Sequence, residues 1–199
     1  MNNNVLLYFV KYPAPGEVKT RLAKTVGFEE AARMYRELAG DNFKMMTPLY
    51  QRKICDLVVA FDPPDKERDF KKWFVLPCEY WAQQGNGLGE RLTSAFHEAF
   101  QRQAKRVIAV GSDTLNLTAD ILEEAFEKLA TEDVVIGPAR DGGYYLIGLS
   151  RQRAQLFQNI PWSTVHVLES TLTIIRKENL NFSFLHELED LDEMAKETV

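Results

Sequence analysis

Residues 5–10, Val-Leu-Leu-Tyr-Phe-Val, form a continuous apolar run cut off by Lys-Tyr-Pro-Ala-Pro-Gly. Such a run predicts a strand buried on both faces, as in a mostly parallel sheet. The period then changes. Over 28–46 the apolar residues Phe28, Ala31, Ala32, Tyr35, Leu38, Ala39, Phe43 and Met46 recur at three and four, one face of a helix, and Pro48 is expected to end it nearby. A second strand is expected at 54–61, closed by Asp62-Pro63-Pro64, then a short charged helix and an irregular strand ending near Trp81. Leu88, Leu92, Ala95, Phe96, Ala99 and Phe100 mark the next amphipathic helix, followed by a strand at 106–110 that ends at Gly111-Ser112-Asp113. Thr118 is placed to cap a helix carrying Ile121, Leu122, Ala125, Phe126 and Leu129. Strands at 134–136 and 144–149 flank Pro138-Ala139-Arg140-Asp141-Gly142-Gly143. A helix after Trp162-Ser163-Thr164, a strand near 182–185 and a polar C-terminal helix complete the pattern. Strands alternating with helices predict a three-layer α/β fold with a mainly parallel sheet, whose ligands bind beyond the carboxyl ends of the strands.

Length narrows this to one domain spanning 1–199, since 199 residues bury one substantial core. A net charge of −5 offers no general attraction to nucleic acid or to an anionic membrane. Any anion site must therefore be built locally. Cys55 and Cys78, the only cysteines, lack the spacing of a zinc site and the density of a disulfide scaffold, which fits reduced thiols in cytosol. The start of the chain lacks the basic and long apolar segments of a signal peptide, and no membrane span is expected.

The loops carry the candidate chemistry. After the first strand, Lys11-x-Pro13-x-x-Gly16-x-x-Lys19-Thr20-Arg21-Leu22 combines a Gly/Pro-shaped backbone with cations that can hold a diphosphate. It is not a P-loop, because the Gly-Lys-Ser/Thr ending is missing, and a solvated basic loop is the plainer alternative. Gln84-Gly85-Asn86-Gly87-Leu88-Gly89-Glu90-Arg91 opens a helix, where glycines admit a ligand and the helix N-terminus favours negative charge. An ordinary glycine-rich turn explains Gly85 and Gly87 equally well. Asp113 follows Gly89 after a helix and a strand, as a ribose-binding acid would in a dinucleotide oxidoreductase, but the Gly-x-Gly-x-Gly spacing is wrong and this remains a minority alternative. Asp113, delivered at the end of an apolar strand, is a hard oxygen ligand suited to Mg²⁺ or Mn²⁺. Its alternative role is a turn or cap before Thr118. Arg140, Asp141, Gly142 and Gly143 present charge and unusual backbone where an acceptor or sugar hydroxyl could sit, although a hairpin needs Asp-Gly as well. The acidic stretch 187–193 can add metal ligands, or simply begin a helix favourably.

Lys-x-Pro-x-x-Gly-x-x-Lys-Thr-Arg-Leu, Gln-Gly-x-Gly-x-Leu-Gly-Glu-Arg, Gly-Ser-Asp and Pro-Ala-x-Asp-Gly-Gly-Tyr-Tyr-Leu-Ile-Gly-Leu, in this order, resemble the bacterial glycosyltransferase-A-type proteins known as selenodomain-associated or arsenosugar-biosynthesis transferases. More distantly they resemble phospholactate guanylyltransferases and other nucleotidyltransferases of the nucleotide-diphospho-sugar transferase fold. The resemblance covers nearly the whole chain. It implies a Rossmann-like GT-A fold, with the first loop at the nucleotide phosphates, Asp113 at the metal, and Asp190 or Asp192 as a further metal ligand. Three departures stand out: Leu115 where relatives usually have Pro, Asn86 where many have Asp, and Glu193-Met194 in place of Thr-Pro. The expected function is transfer of a sugar from a nucleotide-sugar to a small-molecule acceptor with a divalent metal, Lys19, Arg21, Asp113 and Asp141 carrying the chemistry. Nucleotidyl transfer from a nucleoside triphosphate to a phosphorylated acceptor is the alternative, and nucleotide binding without turnover a third.

Overall fold

The computed structural model describes residues 2–192; the expected C-terminal helix, with Glu193 and Met194, lies outside them. In chain order the elements are β1 (Asn4–Lys11), α1 (Ala23–Val26), α2 (Phe28–Gln51), β2 (Asp56–Asp62), α3 (Glu67–Trp73), β3 (Glu79–Ala82) and α4 (Leu88–Gln101). They continue as β4 (Arg106–Gly111), α5 (Ala119–Lys128), β5 (Val134–Pro138), β6 (Tyr144–Leu149), α6 (Val167–Lys177) and β7 (Phe182–Phe184), with 3-10 turns at Pro64–Lys66 and Ala154–Phe157. The strands form one sheet in the order β3-β2-β1-β4-β6-β5-β7. β1, β2, β3 and β4 run parallel, as do β5 and β7, whereas β6 lies antiparallel to both β4 and β5.

Alternation along β1 fills both sides of the sheet. Leu6, Tyr8 and Val10 pack with α2, α3 and α5, while Val5, Leu7 and Phe9 pack with α4 and α6. The result is the expected three-layer α/β fold. Thr118 caps α5 as predicted, its Oγ1 accepting the Ile121 N–H at 3.4 Å. Helix α2 runs past Pro48 to Gln51, because the buried side chains of Met46 and Leu49 hold that last turn against the sheet despite the missing donor. Among the described residues no helix is long and apolar enough to cross a membrane.

The chain reverses direction across the sheet at β1. From there it moves outward through β2 and β3, then returns to place β4 on the other side of β1. Loops leaving β1 and β4 therefore part from each other, and a crevice opens between them at the carboxyl ends of the two strands.

Candidate functional site

A cleft of about 760 Å³ occupies that crevice, lined by Lys11, Lys19, Arg21, Asp113, Arg140, Asp141, Asp190 and Asp192 among others. The loop after β1 is pinned by buried Pro13, Val18 and Leu22, which leaves Lys11, Gly16 and Arg21 exposed. Lys19 sits in the left-handed region at φ 49°, and its carbonyl accepts the Ala23 N–H at 2.9 Å to begin α1. Its side chain turns inward and is only 5% exposed. Nζ lies 2.5 Å from Oδ2 of Asp113, 3.3 Å from Oδ2 of Asp192 and 3.8 Å from Oδ2 of Asp190. Arg21 has no ion-pair partner among the described residues and faces the cleft.

Two parts of the fold bring these carboxylates together. Asp113 ends the β4 segment, whose buried Ser112 is held from α2: the Tyr35 hydroxyl shares a hydrogen bond with Ser112 Oγ at 2.7 Å and accepts the Lys11 N–H at 3.0 Å. Burial, and then the charge of Asp113, push the Tyr35 phenol up to about 12, so it serves as a neutral hydroxyl. Asn42, also on α2, donates to the carbonyls of Ser112 and Thr114 at 3.3 and 2.9 Å. From the other side, the acidic segment bridges antiparallel to Thr114 through Asp190. Leu115 donates to the Glu189 carbonyl at 2.8 Å and Leu191 to the Asp113 carbonyl at 3.0 Å. Buried Leu188 and Leu191 anchor the segment, and the Asp192 N–H donates to Oδ1 of Asp190 at 3.0 Å. The acidic stretch, expected to begin a helix, is here a strand-like clamp on the β4 loop.

Electrostatics follow from this crowding. Burial alone would lower the Lys19 pKa, but Asp113 first, then Asp190 and Asp192, outweigh it and hold the ammonium well above its ordinary value. Asp190 is shifted upward by its burial, with Asp113, Asp192 and Asp141 adding to the shift and Lys19 opposing it. The donor set has the chemistry of a hard cation site: three carboxylates face one ammonium, and Oδ1 of Asp192 is buried with no hydrogen-bond partner among the described residues. Among the described residues no group of three His, Cys, Asp or Glu side chains stands ready to hold a metal ion. Nζ of Lys19 lies among Asp113, Asp190 and Asp192 instead. The sequence reading puts Lys19 at phosphate; in this structure its ammonium contacts Asp113, Asp190 and Asp192.

The β5–β6 hairpin supplies the far wall. Arg140 forms an ion pair with Glu189, and its N–H donates to the Leu188 carbonyl at 3.1 Å, tying hairpin to clamp. Gly142 has φ 86°, and a Cβ there would lie 2.3 Å from the Val165 carbonyl oxygen, so its glycine answers a backbone demand. Oδ1 of Asp141 accepts the Gly143 N–H at 2.9 Å. Asp141 also faces a second space, a chamber of about 350 Å³ that shares Phe9, Leu88, Asp113, Asp141, Ser163 and Thr164 with the cleft.

The glycine-rich turn reaches the cleft through one residue. Leu88 lines the cleft, while Gln84 lines a separate 390 Å³ cavity beside Arg91 and Arg102. Gly85 and Gly87 are exposed, and Gly89 is buried where a Cβ would lie 2.5 Å from the Phe157 carbonyl oxygen. Packing of α4 against the 154–162 segment therefore accounts for Gly89. Residues that motif reasoning did not single out include Phe9, Gln83, Trp162, Ser163 and Thr164 as lining, and Tyr35 and Asn42 as supports. The only available signal was the Pro161-Trp162-Ser163-Thr164 break before a helix.

The family described as "Uncharacterized protein conserved in bacteria (DUF2064)" matches residues 45–164. No curated protein matches the chain. Among solved structures, the "putative nucleotide-diphospho-sugar transferase" of Desulfovibrio desulfuricans G20 is 36% identical with a TM-score of 0.89, the match covering 96% of this chain and 83% of that one. Glucosyl-3-phosphoglycerate synthase of Mycobacterium tuberculosis, in complex with Mn²⁺, uridine diphosphate and glucosyl-3-phosphoglycerate, is 12% identical at TM-score 0.58, covering 96% and 74%. CMP:2-keto-3-deoxy-manno-octonic acid synthetase, complexed with CTP, is 13% identical at TM-score 0.55, covering 98% and 95%. The latter two share the fold.

Proposed function

The chain belongs to the bacterial family DUF2064, and from that premise we propose that it is a transferase moving a sugar from a nucleotide-sugar to an acceptor hydroxyl. The observation that carries this reading is the separation of charge at the switch point: Lys11 and Arg21 on one side, and Asp113, Asp190 and Asp192 gathered about Lys19 on the other. Opposed charges of this kind suit a diphosphate bound together with a divalent cation. The likeness to selenodomain-associated and arsenosugar-biosynthesis transferases is a finer form of the same proposal.

In this reading Arg21 offers a planar fork to the phosphates, and Lys11 adds charge at the end of β1. Asp113, with Asp190 or Asp192, would hold Mg²⁺ or Mn²⁺, which would supply positive charge to offset the negative charge developing on the leaving diphosphate. Lys19, on the same loop as Arg21, would add its charge to the phosphate side of the site. The acceptor oxygen bonds to the anomeric carbon, and the bond from that carbon to the β-phosphate oxygen breaks. Nucleoside diphosphate departs with the bonding pair, and Asp141 takes the hydroxyl proton before passing it to solvent.

The test is incubation with Mg²⁺ or Mn²⁺ and a panel of nucleotide-sugars, nucleoside triphosphates and small acceptors, followed by identification of what is released. Free nucleoside diphosphate supports the proposal. Pyrophosphate from a triphosphate would replace it with nucleotidyl transfer, and tight binding with neither product would leave a nucleotide-binding protein without turnover.

A further inference from the structure

Among the described residues, every lysine and arginine lining the functional site faces the outer cleft: Lys11, Lys19, Arg21 and Arg140. The adjoining chamber is lined by no lysine, arginine or histidine among those residues. Its walls include Leu92, Ala109, Tyr144, Ile147, Trp162 and Val167, with the Trp162 ring edge-on to Tyr144 at 6.2 Å and 82°. The polar groups shared by chamber and cleft are Asp113, Asp141, Ser163, Thr164 and Asp190, and Thr114 and Glu189 also line the chamber. A phosphate placed against the inner wall of this chamber would lose its hydration without meeting a basic side chain, and would face carboxylates at the mouth. A sugar's hydroxyls would find their partners on the carboxylate side, and those turned to Leu92, Ala109, Ile147 and Val167 would lie against carbon.

We propose that the chamber is the acceptor subsite, and that the acceptor is an uncharged alcohol with a compact apolar body. At the ~30 Å³ that one water occupies in the liquid, 350 Å³ admits a body on the order of ten non-hydrogen atoms. The apolar body lies against Trp162, Tyr144 and Leu92, and the hydroxyl stands at the mouth, within reach of Asp141 and facing the diphosphate in the cleft. This inference rests on the transferase reading and deepens it. It also separates that reading from nucleotidyl transfer, whose acceptor must bring a phosphate into a space lined by no basic side chain among the described residues.

The experiment compares 2-(4-fluorophenyl)ethanol with its phosphate monoester by ¹⁹F NMR titration of the whole protein with Mg²⁺, while calorimetry follows uridine diphosphate and other nucleoside diphosphates. The alcohol is expected to bind about ten-fold or more tightly than the ester. Ala139→Phe, which places a ring inside the chamber, should weaken the alcohol by about ten-fold or more and leave nucleoside diphosphate affinity within about two-fold, retained affinity also showing that the variant is folded. Trp162→Ala, removing a wall, should weaken the alcohol in the same way. Equal or tighter binding of the ester, or alcohol binding untouched by both substitutions, overturns the inference. Failure of every nucleoside diphosphate to bind the wild type overturns the transferase reading instead, and the acceptor role falls with it whatever the alcohol does.

Discussion

Lys19 shows how a residue type legible in the sequence can stand in a place that is not. A lysine two positions before an arginine in a loop after the first strand reads as phosphate chemistry, yet its Nζ fills the space between Asp113, Asp190 and Asp192. The missing information is long-range: nothing near Lys19 in the chain announces carboxylates that arrive from β4 and from the far C-terminal segment. Removing the ammonium should expose their mutual repulsion. Lys19→Met is therefore expected to destabilise the metal-free protein by about 1–3 kcal/mol, below the cost of breaking a fully buried pair because the three aspartates keep partial solvent access. Mn²⁺ should then raise the melting temperature of the variant more than that of the wild type, because the centre is open. A wild-type-like melting curve without metal would show that the ammonium does not hold the cluster together. Arg21 makes a simpler case, since it is exposed on the cleft wall. Arg21→Ala should weaken nucleoside diphosphate binding about ten-fold, the worth of one charge-assisted contact, and calorimetry that finds no change would return the residue to the solvated surface.

At the scale of elements, the strands were legible where burial was continuous and the helices where one face repeated. β1 and β4 appear as apolar runs because both faces of the sheet are covered. The direction of β6 was hidden for the same reason, since a strand buried on both sides carries no alternation to distinguish parallel from antiparallel neighbours. The clamp formed by residues 188–191 was masked by its charge: its buried leucines are spaced by acids that favour a helix start as readily as a bridge to Thr114. Glycines divide by physical cause, and two substitutions expose the division. Gly142→Ala places a Cβ against the Val165 carbonyl at φ 86°, and should cost about 1–3 kcal/mol of stability in chemical denaturation. Gly87, at φ −157° with nothing within 4 Å of a Cβ, tolerates Gly87→Val within roughly 0.5 kcal/mol. If its turn lies against the nucleotide, that folded variant should still lose affinity. Native affinity would make the motif a plain turn and leave Leu88 as its contribution to the cleft.

At the scale of the molecule, β1 and β4 carry the site at the centre of the sheet, so an event at Asp113 is felt by the element on which the fold is assembled. The clamp hydrogen-bonds to both sides of Asp113, through Leu191 to its own carbonyl and through Glu189 to the N–H of Leu115. Ligand binding should therefore register in global unfolding, which for a fold built on one sheet is expected as a single transition. A nucleoside diphosphate with Mn²⁺ at about a hundred times its dissociation constant adds roughly 2.7 kcal/mol to the folded state. For a chain of this size that is a rise of roughly 5–10 °C in melting temperature. Asp113→Asn keeps the shape of the side chain and removes the charge a hard divalent cation requires. The variant should melt close to wild type without ligand, because relief of repulsion with Asp190 and Asp192 offsets the weakened hold on Lys19 at 2.5 Å. Its metal-dependent rise should be lost, and turnover should fall by roughly 10²–10³, the scale of deleting one preorganised electrostatic group. A variant that keeps the full metal-dependent rise would remove Asp113 from the metal. A variant that instead loses stability while keeping its metal response would make it the turn-forming aspartate before Thr118, and the diphosphate would have to be sought elsewhere along the carboxyl edge of the sheet.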